Sequence, residues 1–263
     1  MFLFHIYRGL IVMDNKERFS TRVDAYVKYR PSYPAEAVSY LYDTVRFQAG
    51  DEIADIGAGT GKFSKLLLAQ GSRVVAVEPN EPMREAAVQE LGGIANYRTV
   101  DGAAEETGLP DHSVDHIVCA QAFHWFDRTA ARAEFQRILK PGGKVVLIWN
   151  SRLQQGTPFL EEYERLLQRY GTDYEKVQHK NISEEALSAF YAPNQMTVAR
   201  YTMSQLLNEE ELAGRLLSSS YAPEPGHPNY EPMRAELHQI FERNEQGGAV
   251  SFDYETEIFW GEM

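Results

Sequence analysis

The sequence has one cysteine, too few basic residues to balance its acidic ones, and no long apolar run. The single cysteine, Cys119, excludes a disulfide framework and favours a reducing cytoplasmic location. With 26 Lys and Arg against 38 Asp and Glu, the formal net charge is −12, which argues against nucleic acid or an anionic membrane as the main partner. No apolar run reaches the length of a membrane span, and no cluster of His, Cys and Asp shows metal-ligand spacing. These absences favour a small-molecule partner and a site without metal.

The chain of 263 residues is long enough for one domain with a cap and for a sizeable core. Residues 1–12 are apolar, but His5 and Arg8 interrupt them and no small-residue cleavage site follows, so a signal peptide is disfavoured. Recognisable pattern begins only after Met13, which is an alternative start of translation. The fold is therefore argued from the residues that follow, and we expect a monomer or a homodimer.

A short buried strand followed by a glycine turn is the most informative stretch. The strand lies within residues 52–56, Gly57, Gly59 and Gly61 follow at alternate positions, and a helical pattern begins next. Alternate glycines allow a sharp turn and the close approach of a ligand, and the N-terminus of a helix offers unpaired N–H groups. The stretch predicts a cofactor site.

The spacing of these glycines separates three classes of cofactor turn. A phosphate-binding P-loop needs a glycine where the chain has Ile56 and a hydroxyl where it has Phe63. The dinucleotide fingerprint needs its third glycine where the chain has Lys62. What remains is an acid, one spacer and three alternate glycines, in the order Asp55-Ile-Gly-Ala-Gly-Thr-Gly61.

Strands and helices alternate after the glycine turn. Further strands are predicted at 73–78, 96–100, 116–120 and 144–149, with helical patterns between them. Five strands that alternate with helices over about 100 residues predict a parallel sheet with helices on both faces.

This pattern divides the chain into four parts. Residues 1–45 form an N-terminal extension with lid helices, and residues 46–150 form the cofactor-binding core. Residues 151–195 are a helical insertion, and residues 196–263 add the strands and helices that complete the sheet and the acceptor pocket.

An acidic residue ends the second predicted strand. There the carboxylate of Glu78 is placed to accept both hydrogen bonds of a ribose diol, and the alternative is an ordinary acid at a strand end. The next segment begins at Pro79 and opens a helix. Met83 in that helix either lies against an adenine ring or packs in the core.

Two cationic or titratable side chains are candidates for the reaction itself. His124 follows the fourth strand, at the edge where open parallel sheets bind ligands, and is either a structural residue, a substrate contact or a base. Arg30 ends a tyrosine-rich helix that Pro31 terminates, and this helix is either packed on the core or a lid over the cofactor.

Four ordered motifs resemble those of the class I S-adenosylmethionine (SAM) dependent methyltransferases. They are Asp55–Gly61, Glu78, the segment Leu109-Pro-Asp-His-Ser-Val-Asp115, and Leu139-Lys-Pro-Gly-Gly143. The subgroup that the chain resembles is the methyltransferase type 11 set related to trans-aconitate methyltransferase. The segments that carry this second likeness are Tyr29-Arg-Pro-Ser-Tyr-Pro34, Gln121-Ala-Phe-His-Trp-Phe126, Tyr221-Ala-Pro-Glu-Pro and Tyr254–Trp260.

The resemblance implies a Rossmann-like α/β fold with a mostly parallel seven-stranded sheet, helices on both faces and a helical cap or insertion. It also implies SAM as the cofactor, with binding residues Tyr29, Asp55, Gly57, Ala58, Gly59, Gly61, Glu78, Pro79, Met83, Ala103, Ala104, Glu105 and Gln121. Many members carry an aspartate where this chain has Ala103, so the acid that faces the adenine amino group is not assigned.

We expect methyl transfer from SAM to an oxygen of a small acidic metabolite. Arg30 and His124 are the catalytic candidates, and the acceptor contacts are Trp125, Trp149, Arg152 and Tyr221. A carboxylate acceptor is already ionised at neutral pH and needs no base, whereas a phenol or an amine needs one. The alternatives are C- or N-methylation of a larger apolar acceptor, such as a quinone precursor or a lipid, and a SAM-binding protein without catalysis.

Overall fold

The computed structural model describes residues 23–174 and 182–263. The apolar leader and the alternative start at Met13 therefore lie outside the described residues. The division of the chain into four parts stays a prediction.

A seven-stranded sheet forms the centre of the described residues. Its strands are β1 (Glu52–Ile56), β2 (Arg73–Val77), β3 (Tyr97–Val100), β4 (Val114–Ala120), β5 (Leu139–Arg152), β6 (Thr197–Leu207) and β7 (Val250–Glu262). Their order across the sheet is β3-β2-β1-β4-β5-β7-β6. The first five strands pair in parallel, and β7 runs antiparallel to both β5 and β6. The expected mostly parallel sheet of seven strands is confirmed.

The helices of the described residues follow the predicted alternation. They are α1 (Val23–Tyr29), α2 (Ala35–Asp43), α3 (Lys62–Ala69), α4 (Glu81–Leu91), α5 (Arg128–Ile138), α6 (Pro158–Tyr170), α7 (Glu184–Tyr191), α8 (Glu209–Leu217) and α9 (Tyr230–Asn244). A helix or another long connection joins each of the first five strands to the next, because parallel strands cannot be joined by a tight turn.

Successive side chains of each strand point to opposite faces of the sheet. Both faces carry buried apolar side chains. On one face, Ile53 and Val74 pack with Leu67 of α3 and Leu41 of α2. The opposite face carries Ile56 and a second cluster, whose other members include Ile117, Val145, Phe135 and Phe190. The predicted helices on both faces of the sheet are thereby confirmed.

A third apolar cluster joins α6, α8 and α9 to one end of β7. Leu166, Leu212, Leu237 and Phe252 are buried within it. The helical segment after β5 therefore packs on the C-terminal half of the chain and forms a cap beside the sheet. This cap brings α8 next to α1.

Several element ends differ from the sequence prediction. Thr129 is the cap that the sequence pattern predicts for the helix before the fifth strand, but the N-cap of α5 is Asp127. The Asp127 carboxylate accepts hydrogen bonds from the backbone N–H groups of Thr129 (2.9 Å) and Ala130 (3.0 Å). The sequence pattern also predicts a strand over 197–201, but β6 continues to Leu207 because it pairs with β7 along its whole length. The backbone pairing with β7 thus extends β6 beyond the segment that its sequence pattern predicts.

Candidate functional site

A cavity of about 270 Å³ lies at the carboxyl ends of β1, β2 and β4. This is the edge at which open parallel sheets bind ligands. The glycine turn after β1 and the residues after β2 line the cavity, together with Arg30, which follows α1, and Arg215 of α8. One cavity is therefore lined by many of the residues predicted for the cofactor and by Arg30 and Trp125, which were predicted for the acceptor.

The three glycines of the turn all have positive φ, but they serve different purposes. A Cβ on Gly57 would lie 2.5 Å from Ala122 Cβ, and one on Gly61 would lie 2.7 Å from Leu91 Cδ1. Both positions are glycine because the folded chain leaves no room. A Cβ on Gly59 meets only Met83 Sδ, at 3.5 Å, and Gly59 lines the cavity. Gly59 is thus the glycine whose missing side chain leaves space for a ligand.

Glu78 is buried at the end of β2 and holds the glycine turn. Its two carboxylate oxygens accept hydrogen bonds from the backbone N–H groups of Gly59 and Asn80, each at 2.8 Å. Burial raises the pKa of Glu78, and these two hydrogen bonds oppose that effect. Each carboxylate oxygen has a second lone pair, so the group still accepts hydrogen bonds from a diol in the cavity.

Asp55 lies beneath the turn and not in the cavity wall. It is fully buried, Ser64 Oγ donates to its Oδ2 at 2.7 Å, and its Oδ1 has no hydrogen-bond partner. Burial raises the pKa of Asp55 to about 7, with Glu78 adding to the effect. A buried carboxyl with one unpaired oxygen favours a positive charge nearby.

Gln121, directly after β4, and Asn150, within β5, both line the cavity. Gln121 has a φ of 60°, which is unusual for a residue other than glycine and occurs most at functional sites. Its Nε2 donates to the Asn150 backbone oxygen at 3.4 Å. Asn150 Nδ2 donates in turn to the Ser32 backbone oxygen at 2.9 Å, which ties the segment after α1 to the sheet.

Arg30 follows α1 and lines the cavity. Its Nη2 donates to the Ser218 backbone oxygen at 3.0 Å, and its guanidinium lies 5.2 Å from the centre of the Tyr26 ring. Its Nε is buried without a partner. Burial lowers the pKa of Arg30, and the neighbouring Arg215 adds to that effect. The structure thus places a cation here without neutralising it.

His124 lies outside the cavity wall. It belongs to a short 3₁₀ turn, Phe123–Trp125, and its Nδ1 accepts a hydrogen bond from Trp149 Nε1 at 3.4 Å. The Trp149 side chain is buried in the core. Of the three aromatic residues predicted around the acceptor, Trp125 lines the cavity, and Trp149 and Tyr221 do not.

Arg152 and Tyr29 are also engaged elsewhere. Arg152 forms an ion pair with Glu164, and its Nη2 donates to Tyr174 OH at 2.9 Å. The Tyr29 hydroxyl donates to Glu210 at 3.1 Å, and its ring lies directly against Gly214, where no Cβ would fit. Tyr29 therefore fastens the end of α1 to α8 rather than lining the cavity.

Twelve of the predicted site residues line the cavity: Arg30, Gly57, Ala58, Gly59, Glu78, Pro79, Met83, Ala103, Ala104, Glu105, Gln121 and Trp125. Those that do not line it are Tyr29, Asp55, Gly61, His124, Trp149, Arg152 and Tyr221. Sequence reasoning missed several side chains of the wall, namely Tyr26, Tyr33, Thr60, Lys62, Asn80, Phe126, Asn150 and Arg215.

Within residues 23–174 and 182–263, no group of three His, Cys, Asp or Glu side chains is placed to hold a metal ion. Over the same residues, no helix combines the length and the apolar character needed to cross a membrane.

The comparisons with known proteins agree with this geometry. Residues 54–147 match the model of a family described as a methyltransferase domain. An uncharacterized methyltransferase of Mycobacterium bovis is 41% identical over 134 residues, which are 51% of this chain and 52% of that protein. The chain thus spans about half the length of the curated relative it matches. An uncharacterized methyltransferase-like protein of Schizosaccharomyces pombe is 29% identical over 248 residues, 93% of this chain and 94% of its own length.

A solved structure supports the fold over most of the chain. A proposed type II methyltransferase of Anaeromyxobacter dehalogenans superposes with a TM-score of 0.65 at 21% identity, over 89% of this chain and 97% of that one. The Rossmann-like methyltransferase fold expected from the sequence is confirmed. The narrower likeness to trans-aconitate methyltransferase stays a prediction.

Proposed function

We propose that this chain, which belongs to the class I SAM-dependent methyltransferases, transfers a methyl group from SAM to an oxygen of a small acidic metabolite. The observation that carries the acidic acceptor is the guanidinium of Arg30, which lies in the cavity wall without a carboxylate partner among the described residues. A cytoplasmic location and a monomeric or homodimeric state are part of the proposal and rest on the composition alone.

The residues on the glycine side of the cavity fit SAM. Gly59 leaves space beside the turn, Glu78 presents a carboxylate toward a ribose, and the buried Thr60 Oγ1 has no hydrogen-bond partner among the described residues. Ala103, Ala104 and Glu105 would lie along the adenine, and Gln121 along the methionine arm. When bound, SAM supplies a methyl group on a sulfonium, which a nucleophile displaces in line.

Arg30 would hold and orient the acceptor. Its Nη2 donates one N–H to the Ser218 oxygen, and its second N–H remains to pair with Nε or Nη1 in the planar two-point arrangement by which a guanidinium binds a carboxylate. Holding an acceptor oxygen in line with the methyl group is worth on the order of 7–11 kcal/mol for a well-oriented pair. Alignment is therefore the main contribution we assign to the protein.

No general base is needed for a carboxylate acceptor, because its oxygen is already ionised at neutral pH. The position of His124 supports this mechanism. Its Nδ1 accepts a hydrogen bond from the indole N–H of Trp149, and its ring lies beside Trp125 with centres 4.6 Å apart and planes tilted by 42°. His124 does not line the cavity. We therefore assign His124 the role of a residue that supports the aromatic wall.

A larger apolar acceptor is the second candidate, because aromatic rings also line the cavity. Tyr26, Tyr33, Trp125 and Phe126 offer flat apolar surface that would suit a quinone precursor or a lipid, methylated at carbon or nitrogen. A SAM-binding protein without catalysis is the third candidate. It would not account for Arg30, a guanidinium in the cavity wall without a carboxylate partner among the described residues.

The test is a panel of acids, phenols, amines and quinones assayed for release of S-adenosylhomocysteine. We expect acids to be the best acceptors. Arg30→Lys keeps the charge but loses the planar fork, so it should lower kcat/KM for the best acid at least about 10-fold with SAM affinity unchanged. His124→Ala should cost less than the 10²-fold of a general base. A harmless Arg30→Lys with a strongly impaired His124→Ala would reject the acidic acceptor in favour of base-assisted transfer.

A further inference from the structure

Arg215 is a second cation in the cavity wall, and it is held more rigidly than Arg30. It lies on α8 and is only 5% exposed. Its Nε donates to Tyr254 OH at 2.9 Å and its Nη1 donates to Ser219 Oγ at 3.1 Å. The Tyr254 hydroxyl donates onward to Gln205 at 3.0 Å. These partners fix the guanidinium without neutralising it.

The charge of Arg215 has no counter-ion among the described residues. Arg152 has a counter-ion in the carboxylate of Glu164. The hydrogen-bond partners of Arg215, in contrast, are hydroxyl groups. Burial opposes this charge, but the tyrosines around Arg215, Tyr254 first, outweigh burial and raise its pKa, so the side chain is held as a cation without a carboxylate beside it. An anion that enters the cavity would supply an opposite charge.

The surroundings report a positive potential at this end of the cavity. Burial alone would raise the pKa of Tyr221, but Arg215, Arg30 and Arg152 outweigh burial and lower it below its ordinary value. Arg30 and Arg215 also bind consecutive residues, because Arg30 Nη2 contacts the Ser218 oxygen and Arg215 Nη1 contacts Ser219. The two guanidinium groups therefore approach the same end of the cavity.

The two arginines differ in how they are carried. Arg30 follows α1, a helix of seven residues with no buried side chain, which is held to the rest of the protein mainly by polar contacts. Arg215 projects from α8, whose Leu212 and Leu216 are buried in the apolar cluster of the cap. A preformed donor loses less conformational entropy on binding than one that must be ordered. Arg215 is thus the better anchor, and Arg30 the better orienting group.

The donors that remain on Arg215 suit a single hydrogen bond to an anion. Because Nε and Nη1 are engaged by Tyr254 and Ser219, Nη2 is left to face a ligand. A single contact leaves the other lone pairs of a carboxylate available, so the anchor would not block attack on the methyl group.

We propose that Arg215 is a specificity-determining residue that anchors the anionic group of the acceptor and makes the enzyme prefer acids over their neutral analogues. This inference rests on the proposed function and adds to it a residue on a different element. Tyr254 acts as a positioning residue for Arg215, because its hydroxyl holds the guanidinium toward the cavity.

The experiment compares a dicarboxylic acid from the panel with its monoamide, which has the same size and keeps one carboxylate to accept the methyl group but lacks the charge of the other. Wild type should prefer the acid. Arg215→Gln should lower kcat/KM for the acid by about 10- to 100-fold, the loss of one hydrogen bond to a charged group, and leave the amide unaffected. Its dissociation constant for SAM should stay within twofold of wild type. Arg200→Gln, which removes an exposed arginine at the edge of the sheet, is the matched control. It should change neither kcat/KM for the two acceptors nor the dissociation constant for SAM.

Binding is measured separately by thermal shift of the S-adenosylhomocysteine complex with succinate and its neutral diamide at equal ionic strength. Succinate should raise the Tm of wild type more than the diamide does, and Arg215→Gln should remove this difference. Tyr254→Phe keeps the cation and removes the hydroxyl that positions it, so it should lower the acid preference several-fold. If Arg215→Gln does not fold, Tyr254→Phe and Arg215→Lys provide the same comparison.

The outcomes separate this inference from the proposed function. A folded Arg215→Gln that keeps the acid preference of wild type overturns the role of Arg215 and leaves the acidic acceptor intact. Absence of any preference for acids in wild type, together with no stabilisation by succinate, overturns both. Equal losses for the acid and the amide would show that Arg215 has only a structural role.

Discussion

The two halves of the cavity are built in different ways. The cofactor half comes mostly from one continuous stretch, residues 57–105, and uses backbone N–H groups, a space left by Gly59 and the carboxylate of Glu78. The acceptor half brings Arg30, Asn150 and Arg215 together from distant parts of the chain. A local turn can therefore encode the first half, whereas the second exists only after the whole chain has folded.

The halves also carry opposite charges. Asp55 and Glu78 lie at or beneath the cofactor half, and burial raises the pKa of both. Arg30 and Arg215 lie in the acceptor half without carboxylate partners among the described residues. This arrangement suits a reaction that moves a methyl group from a cationic donor to an anionic acceptor, because each reactant is attracted to its own end.

The largest effect should come from Gly59→Val, which breaks the cofactor half alone. A branched Cβ would enter the cavity at a φ of +56°, so SAM affinity should fall by more than about 100-fold, measured by calorimetry. The apo protein should lose little more stability than Gly142→Val, a control with a φ of +78° and no atom within 4 Å of its Cβ. Retained SAM binding in Gly59→Val would show that this glycine serves the chain and not the ligand.

The fold and the cofactor half could be read from the sequence, because their signals are local. The strand, glycine turn and helix at residues 52–69 follow one another directly, and Glu78 closes the next strand. Sequence spacing did not reveal why Gly57 and Gly61 must be glycine. The side chains of Ala122 and Leu91 leave no room for a Cβ there, and those contacts join separate elements.

The acceptor half was only partly predictable. Arg215 has the pattern of an ordinary basic residue in the last turn of a helix, where it would complement the helix dipole. Its function depends on Tyr254 and on the approach of α1, and neither is visible nearby in the sequence. His124 follows β4 at a suitable position, but its ring contacts Trp149 and does not line the cavity, so a catalytic role for it stays a prediction.

A second effect, of a few kcal/mol, should appear in the pH dependence of stability. Asp55 has a folded pKa of about 7 against 3.8 for an unperturbed group, so the folded protein binds the extra proton between these values. Stability from this group is therefore present at low pH, falls as pH rises from about 4 to 7, and is lost above 7. Asp55→Asn should raise the Tm of the apo protein, and more at pH 8 than at pH 5.

The exposed carboxyl of Asp43 at the end of α2 provides the control, since Asp43→Asn should leave the pH profile unchanged. If Asp55 also helps to place the amino-acid end of SAM, Asp55→Asn should weaken SAM binding while it stabilises the chain. A Tm gain that is the same at both pH values would contradict the raised pKa.

The smallest effect concerns Glu78, and it tests whether the two halves are separable. Glu78→Ala removes the carboxylate that would hold the ribose, so SAM affinity should fall by about 1–3 kcal/mol. The Tm of the apo protein should fall as well, because the N–H groups of Gly59 and Asn80 lose their acceptor. Glu81→Ala, in the exposed first turn of α4, should change neither quantity.

At saturating SAM, the KM of Glu78→Ala for the acceptor should match that of wild type, because Arg30 and Arg215 lie on other elements. A large rise in that KM would mean that the glycine turn also positions the acceptor half, and the division drawn between the two halves would be wrong.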